Sequence, residues 1–278
     1  MSTEITPPAP PVPAGTDRPR HRTAPRVIAL LTAALGVAIV AGTVGSAAVP
    51  AIASADARDE HRSLGVAGIS TLDVDVDTTG LTVVFADVDE ASLDVLASRG
   101  EPWTFERDGS TLRVGTPRGD FMFWFSGGNG RATLTLPDEL AGLDAEIEVG
   151  AGSFDADGDF GAVDLNLSAG QVSVTGTATS LVAEVGAGRG EIDLEGVSTA
   201  DFSIDAGQLI ARLRGAAPDT ITASIDAGSL ELTLPDETYD VTSDVSAGEV
   251  DNQLRSAPGA RHTITVDVSA GNALLTAD

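Results

Sequence analysis

The chain has no cysteine and no lysine, its sixteen basic residues all being arginine, and only eleven aromatic residues in 278. Without thiols, disulfide staples, thiolate metal sites and cysteine nucleophiles are excluded. Sixteen basic residues against 42 acidic ones leave a formal charge of −26. That balance repels phosphate backbones and offers no basic patch, so nucleic acid is excluded as a partner. No G-x-S-x-G, H-E-x-x-H or P-loop pattern occurs, which removes the common short signatures of hydrolases, zinc peptidases and nucleotide binders.

Charge is absent altogether from Val27 to Ala55, and Val27 to Val49 is a 23-residue apolar run. That length crosses a hydrocarbon layer of ~30 Å, so the sequence predicts one transmembrane helix over 26–50, ending at Pro50. Arg18, Arg20, Arg22 and Arg26 precede the run, while Asp56, Asp59 and Glu60 follow it. The positive-inside rule then leaves the N-terminus in the cytoplasm and exports the rest. Ala53-Ser54-Ala55 is an A-x-A tripeptide of the kind signal peptidase cuts. The apolar run exceeds the roughly 7 to 15 residues of a signal core, which favours a retained signal anchor. Residues 1–25 hold seven of the 14 prolines and read as a disordered cytoplasmic tail. Residues 51–68 read as a juxtamembrane linker and 69–278 as the extracytoplasmic domain.

A repeat governs the C-terminal half. The pattern x-Ala-Gly after an apolar residue recurs seven times, with its glycines at Gly152, Gly170, Gly188, Gly207, Gly228, Gly248 and Gly271. The spacings are 18, 18, 19, 21, 20 and 23, near-constant with small insertions, as in coils whose outward loops vary. Apolar residues stand three and five positions before the glycine in six of the seven units, as in Phe202/Ile204, and mostly two and four after it, as in Leu209/Ala211. Polar residues fill the positions between them. Each unit is therefore strand, Ala-Gly corner, strand, with period-2 alternation on both arms.

One such pair cannot bury its apolar face alone, but a stack of pairs can. The predicted fold is all-β: a right-handed parallel β-helix of about seven Ala-Gly-cornered coils over 143–278, stacked in chain order, about 34 Å long at ~4.8 Å per coil. Small corner residues let the chain turn without collision, and glycine also tolerates dihedrals that other residues avoid. Upstream, Thr71–Val76, Leu81–Phe85, Thr111–Val114 and Arg131–Pro137 read as short strands. Residues 69–142 are expected to form an irregular first part that covers one end of the core.

The order of a membrane helix, LDVDVDTTGLTVV, PWTFERDGSTLRV, TLTLP and serial coils such as VGAGSFDADGDFGAVDLNLSAGQVSVTG resembles the bacterial putative-adhesin family. The resemblance covers residues 69–278. It implies a β-helical envelope domain, and it implies no catalytic residues.

Candidate chemistry is sparse. His21 falls in the tail and His61 in the linker, leaving His262 as the one histidine of the domain, at the start of its last strand. A solvated strand end is the reading preferred to a catalytic base. Asp155, Asp157 and Asp159 alternate as calcium ligands do, but Gly158 precedes the third acid and position 165 is Leu, unlike an EF-hand loop. An acidic solvated turn is expected there. Asp73, Asp75, Asp77 and Glu231 fall on outward strand positions, where a cation-binding ladder and plain charge repulsion fit equally well. Phe121-Met122-Phe123-Trp124-Phe125, with Trp103 and Phe105, concentrates six aromatics in 23 residues. A contact loop and a cap over the solenoid end compete there, and the cap is preferred because an open β-helix end needs covering.

Catalytic, cofactor-binding and metal-binding residues are therefore assigned as none, and no cofactor is expected. The function read from the sequence is a non-enzymatic, membrane-anchored binding or scaffold module of the bacterial envelope, adhesin-like, with an envelope protein or polysaccharide as partner. The alternatives are a regulatory envelope-stress sensor subunit and a secreted carbohydrate-active β-helix enzyme, the latter disfavoured because the coils carry few arginines and hardly any aromatics.

Overall fold

A computed structural model of the chain describes residues 58–98, 102–116 and 131–278, all within the compact unit Ala53–Asp278. The predicted tail over 1–25, the predicted transmembrane helix over 26–50 and the segment Phe121–Phe125 lie outside the described residues. Among those described, no helix is long and apolar enough to cross a membrane.

In chain order the strands are β1 (Arg58–Gly65), β2 (Thr71–Val76), β3 (Gly80–Ala86), β4 (Glu90–Ser98), β5 (Thr104–Asp108), β6 (Thr111–Gly115) and β7 (Arg131–Pro137). The 3-10 turn Asp138–Leu140 leads to β8 (Leu143–Val149), β9 (Ser153–Leu167), β10 (Gln171–Thr177), β11 (Ser180–Val185), β12 (Arg189–Glu195), β13 (Thr199–Ile204) and β14 (Gln208–Arg214). The last are β15 (Thr220–Ile225), β16 (Ser229–Leu234), β17 (Thr238–Val245), β18 (Glu249–Asn252), β19 (Arg255–Ser256), β20 (His262–Val268) and β21 (Asn272–Ala277). The four upstream strands read from the sequence are β2, β3, β6 and β7.

The architecture is an all-β, strongly curled parallel sheet that runs as a solenoid. Each coil sends one strand up one ladder, turns at a three-residue corner, and returns in the other ladder. The first ladder runs β6, β2, β8, the second half of β9, β11, β13, β15, β20, β17. The second runs β7, β3, the first half of β9, β10, β12, β14, β16, β21, β18. Inward residues of both ladders form one continuous core. Around Gly207, for example, Phe202, Ile204, Leu209 and Ala211 are all buried, at the positions that period-2 alternation selects.

The corner explains the glycine. The amide of the residue after each corner glycine donates to the carbonyl of the equivalent corner residue one coil below: Ser153 to Thr79 (2.8 Å), Gln171 to Gly152 (3.0 Å), Arg189 to Gly170 (3.0 Å), Gln208 to Gly188 (3.0 Å) and Ser229 to Gly207 (3.0 Å). The two preceding corner residues do the same, as in Asp205 to Val185 (3.0 Å) and Ala206 to Gly186 (2.7 Å). A Cβ on Gly207 would lie 2.5 Å from Val185 Cγ1 and 2.7 Å from the Gly188 carbonyl oxygen. Lack of room, rather than dihedral freedom, is thus the usual requirement. Of the seven corner glycines only Gly248 has a positive φ, +117°, which corrects the conformational part of the expectation.

One inward column of the stack alternates by size. In the first ladder Ala183, Phe202 and Ala223 occupy one inward column, so the phenylalanine ring sits between two methyl groups, as close packing at a fixed strand spacing demands.

Stacking in chain order does not hold at the ends. The final coil, β20/β21, lies between β15/β16 and β17/β18, so the chain's penultimate coil is the outermost. Likewise β2/β3 lies between β6/β7 and the coil begun by β8. At the inward positions β20/β21 carry Ile264, Val266, Val268, Ala273 and Leu275, whereas β17/β18 carry Val241, Ser243, Val245, Val250 and Asn252. Serial stacking would enclose Ser243 and Asn252 between apolar coils, at a penalty of roughly 1–3 kcal/mol for each unpartnered polar group. At the end of the stack Ser243 is exposed, and Asn252 bonds Ser256 Oγ (3.0 Å) and the Leu254 amide (3.0 Å).

The opposite end is covered. β4 pairs antiparallel with β7, β1 with β4, and β5 with β6, and Leu93, Val95, Trp103 and Phe105 are buried there. Arg62 donates to the Trp103 (2.8 Å) and Phe105 (2.9 Å) carbonyls and lies over the Phe105 ring. Residues 69–142 do supply covering strands, as expected. The stretch read as linker also contributes, because β1 and Arg62 come from it.

The corners make stability testable at two positions. Gly207→Val forces its side chain into the coil below and should lower stability by about 3 kcal/mol or more in thermal or urea melts; a melt within a degree or two of the parent refutes the assignment. Thr79 occupies the corner position where the later coils have glycine, and its Oγ1 is buried without a hydrogen-bond partner. Thr79→Val keeps the shape and removes that orphan hydroxyl, so it should raise stability by about 1 kcal/mol; a lowered melting temperature contradicts this.

Candidate functional site

Outward positions of the first ladder align across coils into carboxylate rows. Asp73, Glu146 and Asp164 are register partners in one row, and Asp75, Glu148, Asn166 and Glu184 in the next. Neighbouring strands in a sheet are ~4.8 Å apart. Asp73, Glu146, Glu148, Asp164 and Asn166 line a shallow open depression of about 320 Å³. One wall is partly neutralised: Arg113 lies 3.3 Å from Asp73 and 2.9 Å from Asp108. Asn166 Nδ2 donates to Glu184 (3.2 Å). Glu146, Glu148 and Asp164 make no ion pair among the described residues.

The other face mixes acids with arginines and hydroxyls. Asp193 pairs with Arg212 (3.4 Å) and Arg214 (2.6 Å), and β10 presents Ser173, Thr175 and Thr177. Asp155, Asp157, Glu191, Glu231, Glu249 and Asp251 also stand on that ladder without an ion pair among the described residues, so unpaired carboxylates occupy both faces, and the first ladder is distinguished by gathering its acids in register around one depression. Such a face attracts cations and cationic groups at a range set by ionic strength.

The residues singled out in the sequence are dispersed. His61 bonds Asp94 (2.6 Å) on the surface of the end cover. His262 is not a solvated strand end: its side chain is 17% exposed, with Nδ1 2.8 Å from the Pro218 carbonyl and its ring against Tyr239. Tyr239 is buried, donates to the Pro235 carbonyl (2.9 Å), and has its pKa pushed up to about 12 by burial and by the nearby charges of Glu237 and Asp236. Asp155, Asp157 and Asp159 lie on β9 rather than on a turn. They point the same way from alternate positions, roughly 7 Å apart along the strand, too far to converge on one ion. Thr177 Oγ1 donates to Asp159 (2.9 Å). Among the described residues, no group of three or more candidate ligands is placed to hold a metal. Trp103 and Phe105 belong to the end cover, and Glu231 lines a second shallow depression on the opposite face.

The carboxylate rows were readable in principle. Glu146/Glu148, Asp164/Asn166 and Val182/Glu184 stand six and four positions before successive corner glycines, and Asp73/Asp75 stand likewise before Thr79. Only the register turns that recurrence into a surface.

Fold and site together define a solenoid β module whose charged face is a display surface rather than a deep pocket. The sequence matches no protein-family model and no curated protein. Among solved structures, a putative adhesin from Parabacteroides distasonis is similar, with a TM-score of 0.50 and 13% identity over 80% of this chain and 98% of that one. A putative adhesin from Bacteroides fragilis (TM-score 0.42, 10% identity, 80% and 97% covered) and a putative cell adhesion protein from Clostridium sporogenes (0.33, 12%, 80% and 100%) also match. The likeness to the Parabacteroides distasonis protein is one of fold, the fold implied by the family resemblance.

Like charges side by side in a ladder oppose folding by up to about 1 kcal/mol per pair. Glu146→Gln with Glu148→Gln should therefore raise the melting temperature at low salt, and the gain should shrink as added NaCl screens the charges. A gain independent of salt would show that repulsion is not its source.

Proposed function

We propose that the chain is a membrane-anchored, extracytoplasmic, non-enzymatic module of the bacterial envelope, a right-handed β-helix that binds or scaffolds in the manner of an adhesin. The carboxylate face carries this reading. Its charged side chains stand on strands fixed by hydrogen bonds on both sides, so the display is rigid, and its depression is shallow, so it suits a repeating or extended partner better than a small substrate. The uncharged run Val27–Val49, with arginines before it and acids after it, supports the anchor and the orientation with the N-terminus inside. The fold shared with a putative adhesin supports the binding role.

The test uses the full-length chain. In cells it should fractionate with the membrane and be open to protease from outside; mature protein starting at Asp56 in the medium overturns the anchor. Immobilised in mild detergent, it should retain a protein or polysaccharide from envelope extracts. Glu146→Gln, Glu148→Gln and Asp164→Asn together should abolish that retention without lowering the melting temperature. Retention unchanged by the triple variant removes the carboxylate face from the function, and shortening of the polysaccharide on incubation overturns the non-enzymatic reading.

A further inference from the structure

Glu231 and Asp251 each stand three positions after a corner glycine, Gly228 and Gly248. Stacking in chain order would set β16 against β18 with these two carboxylates in register. The insertion of β21 changes that row. Glu231 is the register partner of Leu274, and Leu274 that of Asp251. With Ile210 of β14 beside Glu231, the row runs apolar, acid, apolar, acid across four coils. The parallel row next to it runs Gln208, Ser229, Asn272, Glu249. Leu274 and Ile210 are half-buried although they occupy outward positions.

The result is a depression of about 300 Å³ on the second ladder. Leu274 forms its floor, and Glu231 and Asp251 flank it two strand spacings apart, roughly 9.6 Å. Its chemistry differs from that of the carboxylate rows on the first ladder. Among the described residues, the side chains of Gln208, Ser229 and Asn272 have no hydrogen-bond partner, and Glu231 and Glu249 have no ion pair. Asp251 accepts from Gln253 Nε2 (2.9 Å). No arginine or histidine lines the depression. Each amide offers both donors and an acceptor, the hydroxyl does the same, and each carboxylate only accepts. A matching ligand therefore carries an apolar face, several hydroxyls and a positive charge. A peptide adding as an extra strand does not fit, because β21 is already paired on both sides, by β16 and β18.

We propose that this depression binds the amino-sugar units of a glycan. The C–H face of one pyranose ring rests on Leu274, its hydroxyls bond to Asn272 and Ser229, and its ammonium is held by the flanking carboxylates of Glu231 and Asp251. A pyranose unit is about as long as one strand spacing. A glycan running along the solenoid axis thus brings every second ring over an apolar residue, first Leu274 and then Ile210. Hydrogen bonds from an ammonium to a carboxylate are about twice as strong as neutral ones, so the amine is what selects among sugars. The contact is small, and a dissociation constant on the order of 1 mM is expected, too weak to survive the washing of a retention experiment. The site is separate from the carboxylate face of the first ladder and does not depend on the role proposed for that face.

Three trimers with one β-1,4-linked backbone test this, because they differ only at ring carbon 2: glucosamine with an amine, N-acetylglucosamine with an acetamide, and glucose with a hydroxyl. Trilysine serves as a probe of charge alone. Binding to the full-length chain in mild detergent is followed by saturation-transfer NMR at about pH 6, where carboxylates are ionised and the amine is protonated. The glucosamine trimer should bind at least tenfold more tightly than the other two trimers, with its ring C–H protons the most strongly saturated. Leu274→Ser should weaken it several-fold and leave trilysine binding unchanged. E231Q/D251N should reduce it to the level of the glucose trimer, whereas E146Q/E148Q/D164N should leave it unaltered. Asn272→Ala should give a several-fold loss as well, and it replaces Leu274→Ser if that variant melts below the parent. Equal binding of the glucosamine and glucose trimers, no saturation of any trimer, or a folded Leu274→Ser variant that binds the glucosamine trimer as the parent does overturns the proposal.

Discussion

The structure depends on one interaction repeated at a fixed interval: a backbone amide of one coil donating to a carbonyl of the coil below, all the way round a tight corner. In the strands any residue permits this. At the corner the chain reverses while still keeping strand spacing to the coil beneath it, and a side chain there would occupy the space of the lower carbonyl. Glycine is what lets the ladder run unbroken from one face to the other. The core, the faces and the ends are consequences of that continuity, because once register is locked at the corner, residue n of one coil always lies over residue n of the next.

Locked register has two results. Inward, it makes columns whose members must fit at one spacing, hence Phe202 between Ala183 and Ala223. Outward, it makes rows, so that acids recurring at the same offset from successive glycines become neighbours in space. Asp73, Glu146 and Asp164 are far apart in sequence and adjacent on the surface. The fold thereby converts a weak periodic bias in composition into a contiguous charged face, while on the opposite face the arginines of β14 pair with Asp193.

The ends are where a repeat must stop, and the two ends stop differently. One is closed by antiparallel strands and by Trp103, Phe105 and Arg62, which exclude water from the last coil. The other is closed by a coil made tolerant of water, with Ser243 and Asn252 at positions that are apolar elsewhere and Leu254 from the following loop tucked against it. At each end the outermost coil is out of chain order, so β2/β3 and β20/β21 are both gripped between neighbours.

Period-2 alternation and the Ala-Gly spacing determined, from the sequence alone, the all-β class, the coil length, the inward residues of most coils and the positions of the seven Ala-Gly corners. These are local properties: whether a side chain faces in or out depends on residues two apart, and the corner on a backbone collision that only glycine avoids. The sequence did not disclose that Asp77-Thr78-Thr79 forms a corner too, since threonine replaces the marker residue there, nor that β1 belongs to the domain, since its charged string Arg58 to Arg62 carries no apolar period and is fixed by pairing with β4. It placed Asp155 to Asp159 on a turn because acid and glycine are turn residues, whereas β9 continues through them under the hydrogen bonds of both neighbours. The order of the outermost coils was decided only in the tertiary structure. The corners at 244–248 and 267–271 are identical in sequence and either would satisfy the ladder, so the choice rests on which arrangement leaves Ser243 and Asn252 in contact with water, a comparison between whole structures that no local pattern encodes.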